Sequence, residues 1–313
     1  PAAPASVTVD QRAASRAAAD PAPVGMARKP VTRGQLIRRR LLRKPLFWVG
    51  TVVVLGIALF AIFGNATNIY SFTDQDIRAF SKPPSAQHWF GTDDLGQDLY
   101  ARVIVGLRKS LLIGLIAGPL ATLIAALVGS VGGYLGGKVE GVINWFINLL
   151  LVLPIFYVLM VLSPLLSKIG WQVMVVFIAL FGWMVTAQVV KSQTKMFRDR
   201  EFVKAARFMG VGTLTTLRRH IIPNVASLLI IDACLGVNAA ILSETALSFF
   251  GLGIQPPDVS LGTLLQDGQP AATTRPWLFI FPSIFLVALL TGVNLIGDAL
   301  RDAVDPTSEV NRG

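Results

Sequence analysis

Six long apolar runs divide the chain, at 46–63, 110–136, 142–163, 171–190, 225–249 and 276–297. Crossing a bilayer as helix takes about 20 apolar residues, because in hydrocarbon the backbone must satisfy its own hydrogen bonds. Each run is near that length, so the pattern predicts six transmembrane helices and an all-α, polytopic fold. The first run follows a basic flank, as a signal peptide would. Its apolar core is long, no A-x-A cleavage site stands out after it, and five more runs come later, so it reads as a retained helix.

The segments outside the runs divide the rest of the chain. Residues 1–35 are rich in Ala, Pro, Arg and Asp with almost no large apolar side chains, which reads as a disordered tail. A basic amphipathic stretch, LIRRRLLRK at 36–44, suits an anionic leaflet. Together with the first helix and an outer loop it fills 36–109. A helical core follows at 110–300, interrupted by a long polar loop at 191–222, and 301–313 form a C-terminal tail.

Composition supports the same picture. The chain is 53% hydrophobic and 15% charged, where a soluble domain carries about a quarter charged. The net charge of +10 does not point to nucleic acid, because the basic residues cluster beside the apolar runs. With six crossings and a cytoplasmic N-terminus, about 21 of the 28 Lys and Arg residues fall inside and about 7 outside, which sets both termini in the cytoplasm. The single cysteine, Cys234, lies in an apolar run and reads as a small buried side chain.

Within the runs, small residues recur four apart, as Gly114 and Gly118, Gly129 and Gly133, and Gly132 and Gly136, a spacing that lets helices approach closely. Pro119 and Pro154 predict kinks. Charges at membrane depth cost about 2.5–3.5 kcal/mol on insertion scales, so each needs a reason. Asp232, Glu244 and Asp298 qualify, with Asn238 and Asn294 as polar neighbours. Asp232 shares a helix face with Gly236 and Ala239 or Ala240, and either lines a cavity or is packed as a buried polar group. Glu244 is placed toward the outer mouth, and Asp298 is spaced to pair locally with Arg301.

Catalytic and metal motifs are missing from the sequence. GGYLGGKV at 132–139 nearly spells a phosphate loop, but Val139 stands where Ser or Thr would hold Mg²⁺, and the stretch ends a membrane run. The outer-loop residues Gly91, Thr92, Asp93, Asp94, Gly96 and Asp98 lack calcium-loop spacing and read first as turn contacts. His88 and His220 fall on opposite sides of the membrane and cannot share a metal.

The 191–222 loop predicts two short amphipathic helices around a glycine turn. Asp199 is the expected N-cap. Phe202, Ala205, Ala206 and Met209 would form one apolar face. Gly210 and Gly212 would break the helix, Leu214, Leu217 and Ile221 would form the second face, and Pro223 would open the next span. Such a hairpin either docks on a partner or lies on lipid.

This loop resembles the cytoplasmic coupling motif of bacterial ABC importer permeases: E-A-A, three residues, Gly, nine residues, I-x-L-P. The motif falls on Lys204, Ala205, Ala206, Gly210, His220, Ile222 and Pro223. Lys204 replaces the acid and His220 the first Ile; Glu201, one turn earlier on roughly the same face, stands as a substitute acid. HWFGTDDLGQD (88–98), GGYLGG (132–137), LSETALSFFGLG (242–253) and NLIGDALRDAVDP (294–306) are similar to the C-type permease subunit of dipeptide and oligopeptide importers.

The resemblance implies a type I ABC importer permease fold in a bacterial inner membrane, working by alternating access. It implies a second, homologous permease subunit and two ATPase subunits or one fused ATPase, with ATP and Mg on those chains and no cofactor or catalysis on this one. Glu201, Lys204, Ala205, Ala206, Gly210, Leu214, His220 and Pro223 would meet the ATPase. Asp232, Gly236, Asn238 and Glu244 would line the pathway. An extracytoplasmic solute-binding protein would deliver solute near 64–108 and 250–275. Peptides are the expected substrate, with nickel complexes or another small solute as the alternative. A proton-coupled secondary transporter using Asp232 and Glu244 would instead show inverted repeats.

Overall fold

A computed structural model describes residues 33–67, 69–166 and 170–304. The predicted tails lie outside the described residues, apart from the ends that join the helices. Twelve helices follow one another among the described residues: α1 (Arg33–Leu41), α2 (Pro45–Phe63), α3 (Leu99–Leu135), α4 (Gly137–Val152), α5 (Ile155–Leu166), α6 (Trp171–Gly182), α7 (Met184–Arg198), α8 (Glu201–Phe208), α9 (Thr213–Thr216), α10 (Ile222–Phe249), α11 (Leu261–Gly268) and α12 (Trp277–Val304). Four stretches are each long and apolar enough to cross a membrane: Pro45–Thr67, Leu99–Leu135, Thr213–Phe249 and Trp277–Val304. α6 and α7 meet the same length and apolarity only when taken together, with a bend of 42° between them. The apolar run at 142–163 is divided between α4 and α5. All six runs are therefore helical, two of them in two pieces.

Proline explains one break. Pro154 disfavours helical geometry at the residue before it, and Leu153 is extended, with φ −69° and ψ 122°. Pro119, by contrast, lies inside α3 without dividing it. α3 also starts well before the predicted 110. Asp98 caps it by accepting from the Ala101 amide at 2.8 Å, and its 37 residues make a rod of about 55 Å. The basic residues in its early turns are all engaged. Arg102 reaches Asp93 and Asp267, Arg108 donates to the carbonyls of Ala61 and Ile62 at the end of α2, and Lys109 meets Asp258.

α3 is the axis of the bundle, packed along α10 and α7. Its small-residue pairs serve two different interfaces. A Cβ at Gly118 would lie 2.5 Å from the Gly236 carbonyl carbon of α10, and one at Gly133 would lie 2.5 Å from the Lys191 carbonyl of α7. α2 sits at the periphery and touches α12, where a Cβ at Gly50 would lie 2.7 Å from the Gly292 carbonyl. The rest of α2 presents Leu46, Val49, Val52, Leu55, Leu59 and Ile62 outward, the face of a helix solvated by lipid.

The predicted polar loop is rearranged. α7 runs on to Arg198, so the first part of 191–222 continues the preceding span. Asp199 closes α7 and does not cap α8; the extended residue before α8 is Arg200, and it makes no side-chain cap. The second short helix is not separate either. α9 passes through a π-helical turn, Leu217–Ile221, straight into α10, with the Ile222 amide bonded to the Leu217 carbonyl. Pro223 has no N–H to give to a carbonyl four residues back. The wider turn lies immediately before it, and the helix passes the proline unbroken.

Candidate functional site

The hairpin formed by α8, its glycine turn and α9 stands on a packed root. Val203, Leu217 and Ile221 are buried and pack with Val131 and Tyr134 of α3 and Phe197 of α7. Its tip is bare: Phe208 is 91% exposed, Leu214 78% and Met209 76%. Gly210 forms the turn at φ +75°, with open space where a side chain would be. Glu201, Lys204, Ala205 and Pro223 are also exposed, His220 is half-buried with its ring 6.2 Å from Phe202, and Arg207, Arg218 and Arg219 add exposed positive charge to the hairpin.

The apolar faces differ from those expected. Ala206 packs inward with Val203, while Phe202, Ala205 and Met209 face out; Leu217 and Ile221 are buried, and Leu214 is not. Apolar side chains cover a broad arc of α8, from Phe208 through Ala205, Phe202 and Ala206 to Val203, wider than one contact can bury, so helical spacing alone admits two faces. Contact with α3 and α7 selects the one that turns inward. Near the root, Lys195 pairs with Glu140 at 2.6 Å, and this hydrogen bond, opposed by partial desolvation, holds the Glu140 carboxyl below its ordinary range.

Deeper in the bundle, a cavity of about 310 Å³ lies among α3, α6, α7 and α10. Its polar groups are Thr122, Thr186, Asp232 and Ser243, set among apolar residues that include Phe177 and Phe181. Asp232 accepts from the Thr122 hydroxyl at 2.6 Å and from the Thr186 hydroxyl at 2.8 Å, one on each carboxylate oxygen. Gly236 lines the same cavity where α10 crosses α3. The cavity and the packing contact thus share both glycines, Gly118 and Gly236.

The other candidate pathway residues lie elsewhere. Glu244 is fully buried and does not border this cavity. It accepts from Ser248 at 2.7 Å and from Ser110 at 3.2 Å. Ser110 in turn accepts from the Leu261 amide at 3.2 Å, so this polar knot ties α11 to α3 and α10. Asn238 is also buried off the cavity. Asp298 is exposed toward the C-terminal end of α12, where the neighbouring Asp302 pairs with Lys44 at 2.7 Å.

The loop between α2 and α3 is a network of internal contacts. Asp98 caps α3 and bonds His88 Nδ1 at 2.8 Å. Asp93 accepts from the amides of Leu95 and Gln97 at 2.9 and 2.8 Å and from Arg102. Asp94 meets Arg275 and accepts from Ser81 at 2.7 Å. Thr92 accepts from the Lys82 amide at 2.9 Å, and Gly91 and Gly96 turn the chain at φ +80° and +75°. Between this loop and the segment after α10 lies an open cleft of about 1020 Å³.

Several of these partners were not visible as local patterns. Thr122 and Thr186 lie 110 and 46 residues from Asp232, and Ser110 lies 134 from Glu244. Nothing in the spacing around either acid signals them.

Comparisons with known proteins agree with the motif resemblance. The family described as "Binding-protein-dependent transport system inner membrane component" matches residues 110–309. "N-terminal TM domain of oligopeptide transport permease C" matches 32–84. The chain is 45% identical over 283 residues to the oligopeptide transport system permease protein OppC of Mycobacterium tuberculosis, covering 88% of this chain and 96% of that protein. It is 40% identical over 274 residues to the protein of that name from Escherichia coli (86% and 89%) and 34% over 258 residues to the one from Bacillus subtilis (82% and 84%). With its polytopic helical bundle and matches along most of its length, the chain belongs to the binding-protein-dependent transport inner membrane components, the multi-pass permease subunits of ABC transporters.

Proposed function

We propose that this chain is the C-type permease subunit of an ATP-driven importer of di- and oligopeptides, with both termini in the cytoplasm. It pairs with a second, homologous permease to enclose the pathway. Two ATPase subunits, or one fused ATPase, dock beneath and supply ATP and Mg chemistry, and an extracytoplasmic binding protein delivers peptide to the outer loops. The names of the relatives support the peptide substrate.

The observation that carries this reading is the bare apolar tip at the coupling-motif positions, held on a buried root. A soluble partner that covered Phe208, Met209 and Leu214 would gain apolar burial, and the hairpin's exposed arginines suit an acidic rim. Movement of the tip has a direct route into the bundle. α9 continues through the π turn into α10, and α10 carries Asp232 and Gly236. ATPase closure that displaces Leu214 therefore pulls on the helix that walls the cavity.

Purification of the complex from its native membrane in mild detergent, followed by mass spectrometry and reconstitution, tests the reading. Co-purification of a second permease and an ATPase, with ATP-dependent peptide uptake, is the expected result. Recovery of the chain alone, from a preparation that preserves another ABC complex, together with uncoupler-sensitive uptake, would replace it with a secondary transporter.

A further inference from the structure

Like Glu244, Asp232 is held by hydroxyls, but unlike Glu244 it borders a cavity, and several other buried or half-buried acids are each matched by a base. Asp93 has Arg102, Asp98 has His88, Asp258 has Lys109 and Asp302 has Lys44. Among the described residues, Asp232 forms no ion pair with Lys, Arg or His, and its two partners are neutral hydroxyls. A carboxylate oxygen has two acceptor sites, so after Thr122 and Thr186 are served, Asp232 still has accepting capacity. The threonines fix its orientation and leave its charge uncompensated.

The space beside it is suited to a small ligand. A volume of about 310 Å³ sits at the lower end of ordinary small-ligand pockets, about 300–1,000 Å³, which are mostly apolar with a few polar anchors. The stacked rings of Phe177 and Phe181, centroids 4.6 Å apart, form part of the wall. Aromatic faces tolerate both apolar side chains and cations. Ala239 and Ser243 on the rim are exposed, so the cavity is reachable from outside the chain's own core.

We infer that this cavity is a cation subsite in which Asp232, oriented by Thr122 and Thr186, receives the primary ammonium of a peptide's amino terminus or lysine side chain. The inference rests on the peptide-importer reading and names the part of the peptide that the permease itself holds. Apolar side chains of the peptide then lie toward Phe177 and Phe181. Thr122 and Thr186 are positioning residues, acting through the carboxylate.

Saturation-transfer NMR on the assembled complex without its binding protein tests the subsite. The probes are dialanine amide, which carries a free ammonium, and N-acetyl-dialanine amide, which does not. The wild type should bind the ammonium probe at least about tenfold more tightly, and Asp232→Asn should erase that preference while Asp232→Glu keeps much of it. Ala239→Lys changes an exposed rim position, so it does not depend on refolding the interior. It should weaken the ammonium probe alone by placing a cation at the mouth. Equal binding of the two probes by the wild type, no binding of either, or an unaltered preference in Asp232→Asn or Ala239→Lys would overturn the subsite. ATP-driven peptide uptake by the wild-type complex is measured alongside; its absence would overturn the importer reading instead.

Discussion

Phe208→Ala isolates what the hairpin tip contributes to docking. Phe208 ends α8 and is 91% exposed, so it makes little contact within its own chain. Truncating it should change the stability of this subunit by less than about 0.5 kcal/mol, the usual range for surface sites. If the ATPase buries the ring, the loss on docking is about 1.5–3 kcal/mol, a factor of roughly 10 to 150 in affinity. Affinity for the purified ATPase is measured with the permease pair held in nanodiscs at fixed nucleotide concentration. Leu217→Ala provides the contrast. Leu217 lies in the buried root, where a Leu truncation costs about 2–5 kcal/mol, so that variant should lose docking through a loosened, protease-sensitive hairpin. Wild-type ATPase affinity in Phe208→Ala, with stability unchanged, would refute the docking role and lay the tip on lipid instead.

Two further substitutions test the scaffold. Gly118→Leu forces side-chain atoms against the Gly236 backbone, so α3 and α10 must separate at a cost of about 1–3 kcal/mol or more; a clear fall in the melting temperature of the purified complex is expected, and an unchanged one would mean the helices are not in such close contact. Asp98→Ala removes the α3 cap, worth about 0.5–2 kcal/mol, and strips His88 of its 2.8 Å partner; trypsin should then cut the loop before α3 after Arg78 faster than in wild type, and equal cleavage rates would remove the capping role.

The spans were legible because bilayer thickness imposes a length that apolar runs must meet. Boundaries were less so. The apolar run begins only at 110, whereas α3 begins at Leu99, and Arg102, Arg108 and Lys109 in its first turns each have a partner from another part of the chain. The glycine pairs revealed close packing but not their partners, since one face of α3 meets α10 and another meets α7. On the hairpin, the glycine turn was readable from Gly210, whereas the choice of buried face depended on residues of α3 and α7. The depth of Asp232 and Glu244 marked both as unusual. Only the fold separates them, because the serines around Glu244 close a knot while the threonines beside Asp232 leave a cavity.

The contact of α2 with α12 has a consequence for how the protein is made. Its seam is the Gly50–Gly292 approach, and the Lys44–Asp302 pair beside it joins residues 258 positions apart. Chains emerge N-terminus first at about 5–20 residues per second. The first helix therefore enters the membrane long before its mate has been translated, and it waits in lipid with its glycine groove open. This seam closes only once α12 has followed α2 into the membrane. A nascent chain stalled anywhere earlier exposes the same unfilled groove, which gives membrane quality control one common mark for every unfinished copy.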